Sequence, residues 1–305
     1  MAARRSPVFR FPLAVFCLAT ILVFPAAAGA AEEAPRVKIT PIKGPLYELQ
    51  GSGGNVVASV GDDGVLLIDS DYAEYAPAYE AALAGLSSVP GAPRFLFNTH
   101  WHFDHVGGNA YWGEQGTLIA AHDNVYQRMS TRQEMKVFNR VVEPSPAAAL
   151  PVITYADEVA VHFNGDLVRA RHYPHGHTDG DSIIFFTGQN VVHMGDHVFK
   201  GAFPFIDIGS GGNAFSFIDN LRAVHGQVND ETVLVPGHGA GFLDRAGLAA
   251  YIEVLATTAE YTRAQLAAGK SVEEIAAQDW WEQYASYGQG FIDTASWVSF
   301  IAGSL

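Results

Sequence analysis

Cysteine is almost missing from this chain: Cys17 is the only one in 305 residues, and it sits inside an N-terminal apolar run. That excludes a disulfide framework and any metal site built on thiolates. Basic residues are sparse too, with 18 Lys and Arg against 32 Asp and Glu and a formal net charge of −14. Nucleic-acid binding needs clustered cations against phosphate, so a nucleic-acid partner is not expected, and nuclease or RNA-processing roles are disfavoured. Long apolar runs are also lacking. The run from Phe11 to Phe24 is too short for an ordinary membrane-spanning helix. There is no internal repeat and no low-complexity linker.

The N-terminus nevertheless has a pattern. Arg4, Arg5 and Arg10 precede the apolar run without any acid, and Ala28-Gly29-Ala30 follows it as an A-x-A cleavage pattern. Residues 1–30 are expected to be a secretory signal peptide, with an uncleaved anchor as the alternative. Residues 31–305 then form one domain, periplasmic or secreted, with no stable membrane span after processing. Cleavage removes three arginines and no acid, so the formal charge moves from −14 to −17 and no cysteine remains. Arg4-Arg5 suggests a twin-arginine route, for which Ser6-Pro7-Val8 is a poor continuation, and the export route stays open.

What the chain does have is histidine in the right places. The segment Thr99-His-Trp-His-Phe-Asp-His-Val-Gly-Gly-Asn109 packs His100, His102, Asp104 and His105 into six positions. Imidazole and carboxylate are the ligands zinc takes when thiolates are absent. In extended backbone His100 and His102 point to one side, and a tight turn brings Asp104 and His105 toward a second ion. Three further candidates stand at strand ends flanked by glycine: Gly176-His177, Gly195-Asp196 and Gly237-His238-Gly239. Glycine permits a sharp turn and a close backbone approach to an ion. Of the other histidines, His122, His162, His172 and His225 lack motif context. His175 is the nearest rival to His177, and His193 and His197 flank Asp196 as candidate partners that orient a ligand.

This motif set resembles the metallo-β-lactamase superfamily over essentially everything from about residue 38 onward. The resemblance implies a four-layer αββα sandwich, two facing mixed sheets with outer helices. It implies His100, His102 and His177 on one zinc, and Asp104, His105 and His238 on the other, with Asp196 bridging them or completing the second. The spacing is similar to that of the secreted dinuclear-zinc β-lactamases. Those enzymes carry cysteine where this chain has Asp196, which instead resembles the bridging aspartate of the glyoxalase-like hydrolases. Oxygen in place of sulfur makes the second site harder and opens it to iron or manganese.

The implied chemistry is hydrolysis by a metal-bridged hydroxide attacking a carbonyl, with Asp104 orienting the water and shuttling a proton. The expected partner is a small-molecule substrate with a hydrolysable carbonyl. Lys200 resembles the lysine that holds the carboxylate of a β-lactam, and Asn213 resembles the asparagine that binds its carbonyl oxygen. The plainer alternatives are a surface lysine and an N-cap for the helix beginning near Phe215. A β-lactamase-like hydrolase with modest β-lactam turnover is the leading expectation. Hydrolysis of a lactone, thioester or other ester is the alternative, and a non-catalytic metal- or ligand-binding protein is the alternative of another class.

Periodicity and turn signals place the remaining elements. Strands are expected at 37–40, 46–49, 55–60, 64–69, 94–97 and 182–186, with turns at Asp63-Gly64 and Asn164-Gly165. Helices are expected at 73–86, 124–140, 215–224 and 244–268, the last capped by Asp244, and at 271–277 with Ser271 and Glu274 in capping-box spacing. The aromatic tail from Trp280 to Phe300 is read as packing, with a lip over the site as the alternative.

Overall fold

The computed structural model describes residue 2, residues 36–135, residue 137 and residues 139–305; the proposed signal peptide therefore lies outside the described residues. Ala34–Leu305 forms one compact unit.

The first sheet has seven strands. β1 (Lys38–Lys43), β2 (Leu46–Gln50), β3 (Val56–Gly61) and β4 (Gly64–Ile68) form an antiparallel meander. β5 (Phe95–Phe97), β6 (Leu118–His122) and β9 (Ile153–Tyr155) extend it in parallel. A separate hairpin pairs β7 (Gln133–Met135) with β8 (Arg140–Val142). The second sheet has the order β10 (Glu158–Phe163), β11 (Asp166–His172), β12 (Ser182–Phe186), β13 (Val191–His193) and β14 (Val233–Val235). It is antiparallel except for the β13–β14 pair.

Period-two side-chain alternation builds the layers. In β4, Leu66 and Ile68 enter the core between the sheets, where Phe97, Val168, Ala170, Ile184 and Val235 meet them. Val65 and Leu67 point the other way, onto Tyr79 and Leu83 of α1 (Ala76–Leu86) and toward Trp112. Every residue of β4 is buried on one face or the other, as expected for a central strand with helices outside it. Each fully buried Leu or Ile contributes about 1.5–3 kcal/mol. The outer face of the second sheet is covered by α5 (Ala214–His225), α6 (Arg245–Ala267) and α8 (Thr294–Gly303), through Phe217, Leu221, Leu255 and Trp297. This is the expected four-layer sandwich. Among the described residues no helix is long and apolar enough to cross a membrane.

Local chemistry sets the boundaries. Asn164 (φ 49°) and Gly165 (φ 76°) take the paired left-handed conformation of a tight hairpin turn between β10 and β11. Asp244 caps α6 by accepting from Gly247 N, and Ser271 and Glu274 form both bonds of a capping box on α7 (Val272–Ala276).

The helix expected over 124–140 is not formed as such. α4 runs only over Asp123–Met129, and the chain then folds into the β7–β8 hairpin. The Thr131 hydroxyl bonds back to Gln127 O, and Gln133 Nε2 donates to Thr131 Oγ1, side-chain bonds that compete with continuation of the helix. Asn139, at φ 47°, supplies the left-handed turn residue. The helix expected from residue 73 begins with a single 3₁₀ turn, Ala73–Tyr75, before α1.

The strands that deliver ligands share one direction. β11, β13 and β14 all run the same way, so the loops leaving their C-terminal ends emerge along one edge of the second sheet. The segment after β5 is tied to this edge, with Ser182 N donating to Thr99 O and Asn55 N to Gly237 O.

Candidate metal centre

Seven side chains from four separate loops converge at that edge in two groups. His100, His102, His177 and Asp196 offer ligand atoms within 4.8 Å of one another, and so do Asp104, His105 and His238. The first group is wholly buried, and His105 is buried in the second. His102 is the residue preceding α2 (Phe103–Val106), a single helical turn that swings Asp104 and His105 away from His100 and toward the second group.

Four of the five histidines are held by one ring nitrogen and present the other. His177 Nδ1 donates to Phe205 O at 2.7 Å, and His102 Nε2 donates to Asp207 Oδ2 at 3.0 Å. His105 Nδ1 donates to Asp69 Oδ2 at 2.8 Å. Thr99 Oγ1 gives its own proton to the same Asp69 oxygen and so accepts from His100 Nδ1 at 3.0 Å. In the first group the nitrogens left over are therefore bare lone pairs facing one another: His177 Nε2 lies 2.8 Å from His102 Nδ1. His100 Nε2 is buried with no hydrogen-bond partner. Lone pairs converging in a buried space repel unless a cation sits among them, and imidazole with carboxylate is a donor set that suits zinc. The residues fit a metal.

Asp196 joins the two groups. Its Oδ2 lies 3.4 Å from His177 Nε2 and 3.7 Å from His100 Nε2, while Oδ1 lies 3.1 Å from His105 Nε2 and 3.4 Å from His238 Nε2. One carboxylate thus turns one oxygen to each group. Asp104 Oδ2 is 3.4 Å from His238 Nε2 and is partly open to solvent.

The two groups titrate in opposite directions. Burial, reinforced by the neighbouring charge of His105, holds His100 well below the ordinary histidine range; burial also brings His177 down to about 4. Burial also opposes the charge on His105 and His238. The carboxylates of Asp196 and Asp104 outweigh it, with Asp69 adding to the effect on His105, so His105 stands well above its usual value and His238 at about 9. Burial would push Asp104 up, but His105 and His238 bring it down to about 2.

Several supporting residues carry no motif in the sequence. Asp69 and Asp71 both have positive φ, 62° and 54°, immediately after β4. Asp71 accepts from Ser52 N, Gly53 N and the Tyr79 hydroxyl, pinning the glycine loop between β2 and β3 against Asp104 and His105. A Cβ on Gly54 would stand 2.2 Å from the His105 ring, so that loop needs glycine. An acid two residues from another at a strand end was the available signal for Asp69 and Asp71; Asp207 offers none. Asp181 accepts from Thr178 N and the Thr178 hydroxyl, fixing the turn that carries His177. His193 donates to Asn55 O and accepts from Gly195 N, bracing the backbone before Asp196. His197 is turned away, stacked on Phe217. His175 is exposed and outside both groups; its Nδ1 bonds Gly211 O.

Above the two groups opens a cavity of about 510 Å³. Its walls are Tyr72, Phe103, Met135, Phe199, Phe205 and Phe291, with Ser52, Arg140 and Lys200 among them. Lys200 is on this wall, its backbone N donating to His238 O. Asn213 is not among the residues that line the cavity. Its side-chain oxygen caps α5 by accepting from Phe215 N and Ser216 N, and its amide nitrogen donates to Ser304 O. Of the aromatic tail, Trp281 and Trp297 are buried as packing, whereas Phe291 stands 75% exposed at the cavity.

Residues 49–255 match the family model described as the metallo-beta-lactamase superfamily. The alpha subunit of a 2,4-dinitroanisole O-demethylase from Nocardioides sp. is 26% identical over 246 residues, covering 79% of this chain and 69% of that protein. A hydroxyacylglutathione hydrolase from Gloeobacter violaceus is 31% identical over 132 residues, 43% of each chain. A solved metallo-beta-lactamase from Pontibacter korlensis superposes with a TM-score of 0.58 at 16% identity, covering 72% of this chain and 99% of that one. A stereoselective inverting sec-alkylsulfatase from Pseudomonas sp. gives 0.65 at 15% identity, and the match covers 87% of this chain but only 49% of that one. With a family match over most of its length and a His/Asp cluster at the loop edge of a four-layer sandwich, the chain belongs to the metallo-beta-lactamase superfamily.

Proposed function

We propose that this protein is a dinuclear zinc hydrolase of small carbonyl substrates, esters, lactones or thioesters, with slow turnover of β-lactams. The observation that carries the reading is Asp196, whose two oxygens each face a separate histidine group beneath an open cavity. His100, His102 and His177 would hold one ion, and Asp104, His105 and His238 the other, with Asp196 shared between them. Two such ions would supply a nucleophilic hydroxide at neutral pH and Lewis-acid polarisation of the carbonyl.

The chain's own groups do the rest. Asp104, ionised and partly exposed at the cavity floor, is placed to orient an attacking water and to take and return its proton at Oδ2. The aromatic walls exclude bulk water and orient an apolar substrate body. Slow β-lactam turnover is expected from Asp196, a hard oxygen donor at the position where the secreted β-lactamases place a thiolate.

Elemental analysis after zinc loading is expected to give close to two ions per chain. A panel of nitrocefin, an aryl ester, a lactone and a thioester is expected to rank nitrocefin below the esters. A metal content that never exceeds one, or no turnover by the loaded protein, would sink the reading. Export of the mature domain is part of the proposal, supported by the Arg-rich start, the apolar run and the Ala28-Gly29-Ala30 pattern. N-terminal sequencing of the protein recovered from a periplasmic fraction tests it.

A further inference from the structure

The cavity wall carries charge of one sign. Apart from the candidate metal ligands, its only charged side chains among the described residues are Arg140 and Lys200, in a chain whose acids outnumber its bases by 32 to 18. Although Arg94 donates only to the Asp63 carbonyl, Arg128, Arg132, Arg169, Arg171, Arg222, Arg245 and Arg263 all pair with a carboxylate. Arg140 does not: among the described residues its guanidinium contacts only the face of Phe103, with Cζ 4.0 Å from the ring centroid.

Lys200 is in a different position. Its charge acts, after that of Lys38, on the buried carboxyl of Glu48. The surroundings of Arg140 are apolar. Phe103 and Met135 stand on the cavity wall with it, and Val137 and Val141 of the same hairpin segment are 60% and 47% exposed. A guanidinium stacked on an aromatic face keeps its edge donors free for a carboxylate or other planar oxyanion.

We propose that Arg140 is the specificity-determining anchor of the cavity, and that the preferred substrate is an anion on an apolar or aromatic body. The anionic group pairs with Arg140, the apolar body lies along Phe103 and Met135, and the scissile carbonyl reaches the cavity floor at Asp104. This deepens the hydrolase reading and rests on it for the word substrate; the binding preference itself does not require turnover.

The experiment therefore measures binding first. Calorimetry on the zinc-loaded protein compares 4-phenylbutyrate with its uncharged primary amide. The wild type is expected to favour the carboxylate by about tenfold or more, as for a charge-assisted contact. Arg140→Ala is expected to abolish that preference, Arg140→Lys to restore part of it, and Lys200→Ala to retain most of it. An unchanged preference in Arg140→Ala, or its loss in Lys200→Ala instead, overturns the proposal. A carboxylate held only by the metal ions would give the unchanged preference. A parallel KM comparison of 4-nitrophenyl butyrate with the 4-nitrophenyl monoester of glutarate tests the substrate claim. Arg140→Ala is expected to lower the anionic-to-neutral ratio of kcat/KM mainly through KM, and an unchanged ratio counts against it. Absence of any turnover with the binding preference intact would overturn the hydrolase reading and leave an anion-binding cavity.

Discussion

The two halves of the metal centre are held in different ways. His100, His102 and His177 are buried, each fixed by a hydrogen bond from its far nitrogen to a neutral acceptor or to Asp207, and His100 and His177 are shifted toward the neutral form. His105 and His238 face three carboxylates between them and are shifted toward the charged form, and Asp104 and His238 border the cavity. In the first half, His100 and His177 are placed to receive a cation without giving up protons. The second is compensated internally by charge and must exchange protons for a metal. The contrast between a half shifted toward the neutral form and a half compensated by charge can be broken experimentally.

The largest effect is expected at Asp104. Asp104→Ala removes a candidate ligand of the second group and the more exposed of the two carboxylates lining the cavity, and turnover is expected to fall by about 10²–10⁴-fold, the range for a positioned acid–base group. The matching readout is metal content: the first ion should stay bound. Near-wild-type rates with two ions bound would show that the halves are not divided in this way.

Next comes Asp207→Asn, which replaces the acceptor behind His102. Metal affinity of the first group is expected to fall about 10–100-fold, the usual cost of losing a partner behind a ligand. Competition with a chelator measures it. An affinity loss confined to the second ion would reverse the assignment of the halves.

Proton counting sharpens the contrast without mutation. At pH 7 the metal-free His238, at about 9, and His105, also raised, are protonated, whereas His177, at about 4, and His100, also lowered, are already neutral. Filling the second group is therefore expected to release more protons than filling the first, and its affinity to fall more steeply as pH drops. Zinc titrations in buffers of different ionisation enthalpy give the count, and equal proton release from both steps would refute it.

The smallest effect lies outside both halves. Glu48 is buried with Oε1 unpartnered, and burial raises its pKa above 4.5. The unfolded chain thus ionises first as pH rises, and the penalty on the folded state appears above about pH 4.5. Glu48→Gln is expected to stabilise the fold by about 1 kcal/mol at pH 7 and to do little at pH 4. Urea denaturation at the two pH values checks the sign.

Much of this molecule was legible before any coordinates. The seven converging residues were named from residue type and spacing alone, because His100, His102, Asp104 and His105 lie within one turn's reach and each remaining ligand follows a strand and a glycine. The strands read well as short apolar runs bounded by turn signals: β4 follows the Asp63-Gly64 turn and is buried along its whole length. Where local signals competed, reading failed. The residues after Met129 have no strong breaker, and only the pairing of Gln133–Met135 with Arg140–Val142 turned an expected helix into a hairpin, placing Met135 and Arg140 on the cavity wall. Asn213 shows the opposite limit, since a residue type suited to binding a carbonyl serves equally well as a helix cap.

By itself, then, the sequence determined the candidate ligands and the strand pattern, consequences of short-range spacing and residue chemistry, and through its motifs the resemblance to the family. Which nitrogen each histidine presents was decided only in three dimensions. The acceptors that fix it for His177, His105 and His102 lie 28, 36 and 105 residues away, beyond the reach of any local rule. The walls of the cavity, gathered from segments as distant as Tyr72 and Phe291, were likewise set by packing of the whole sandwich.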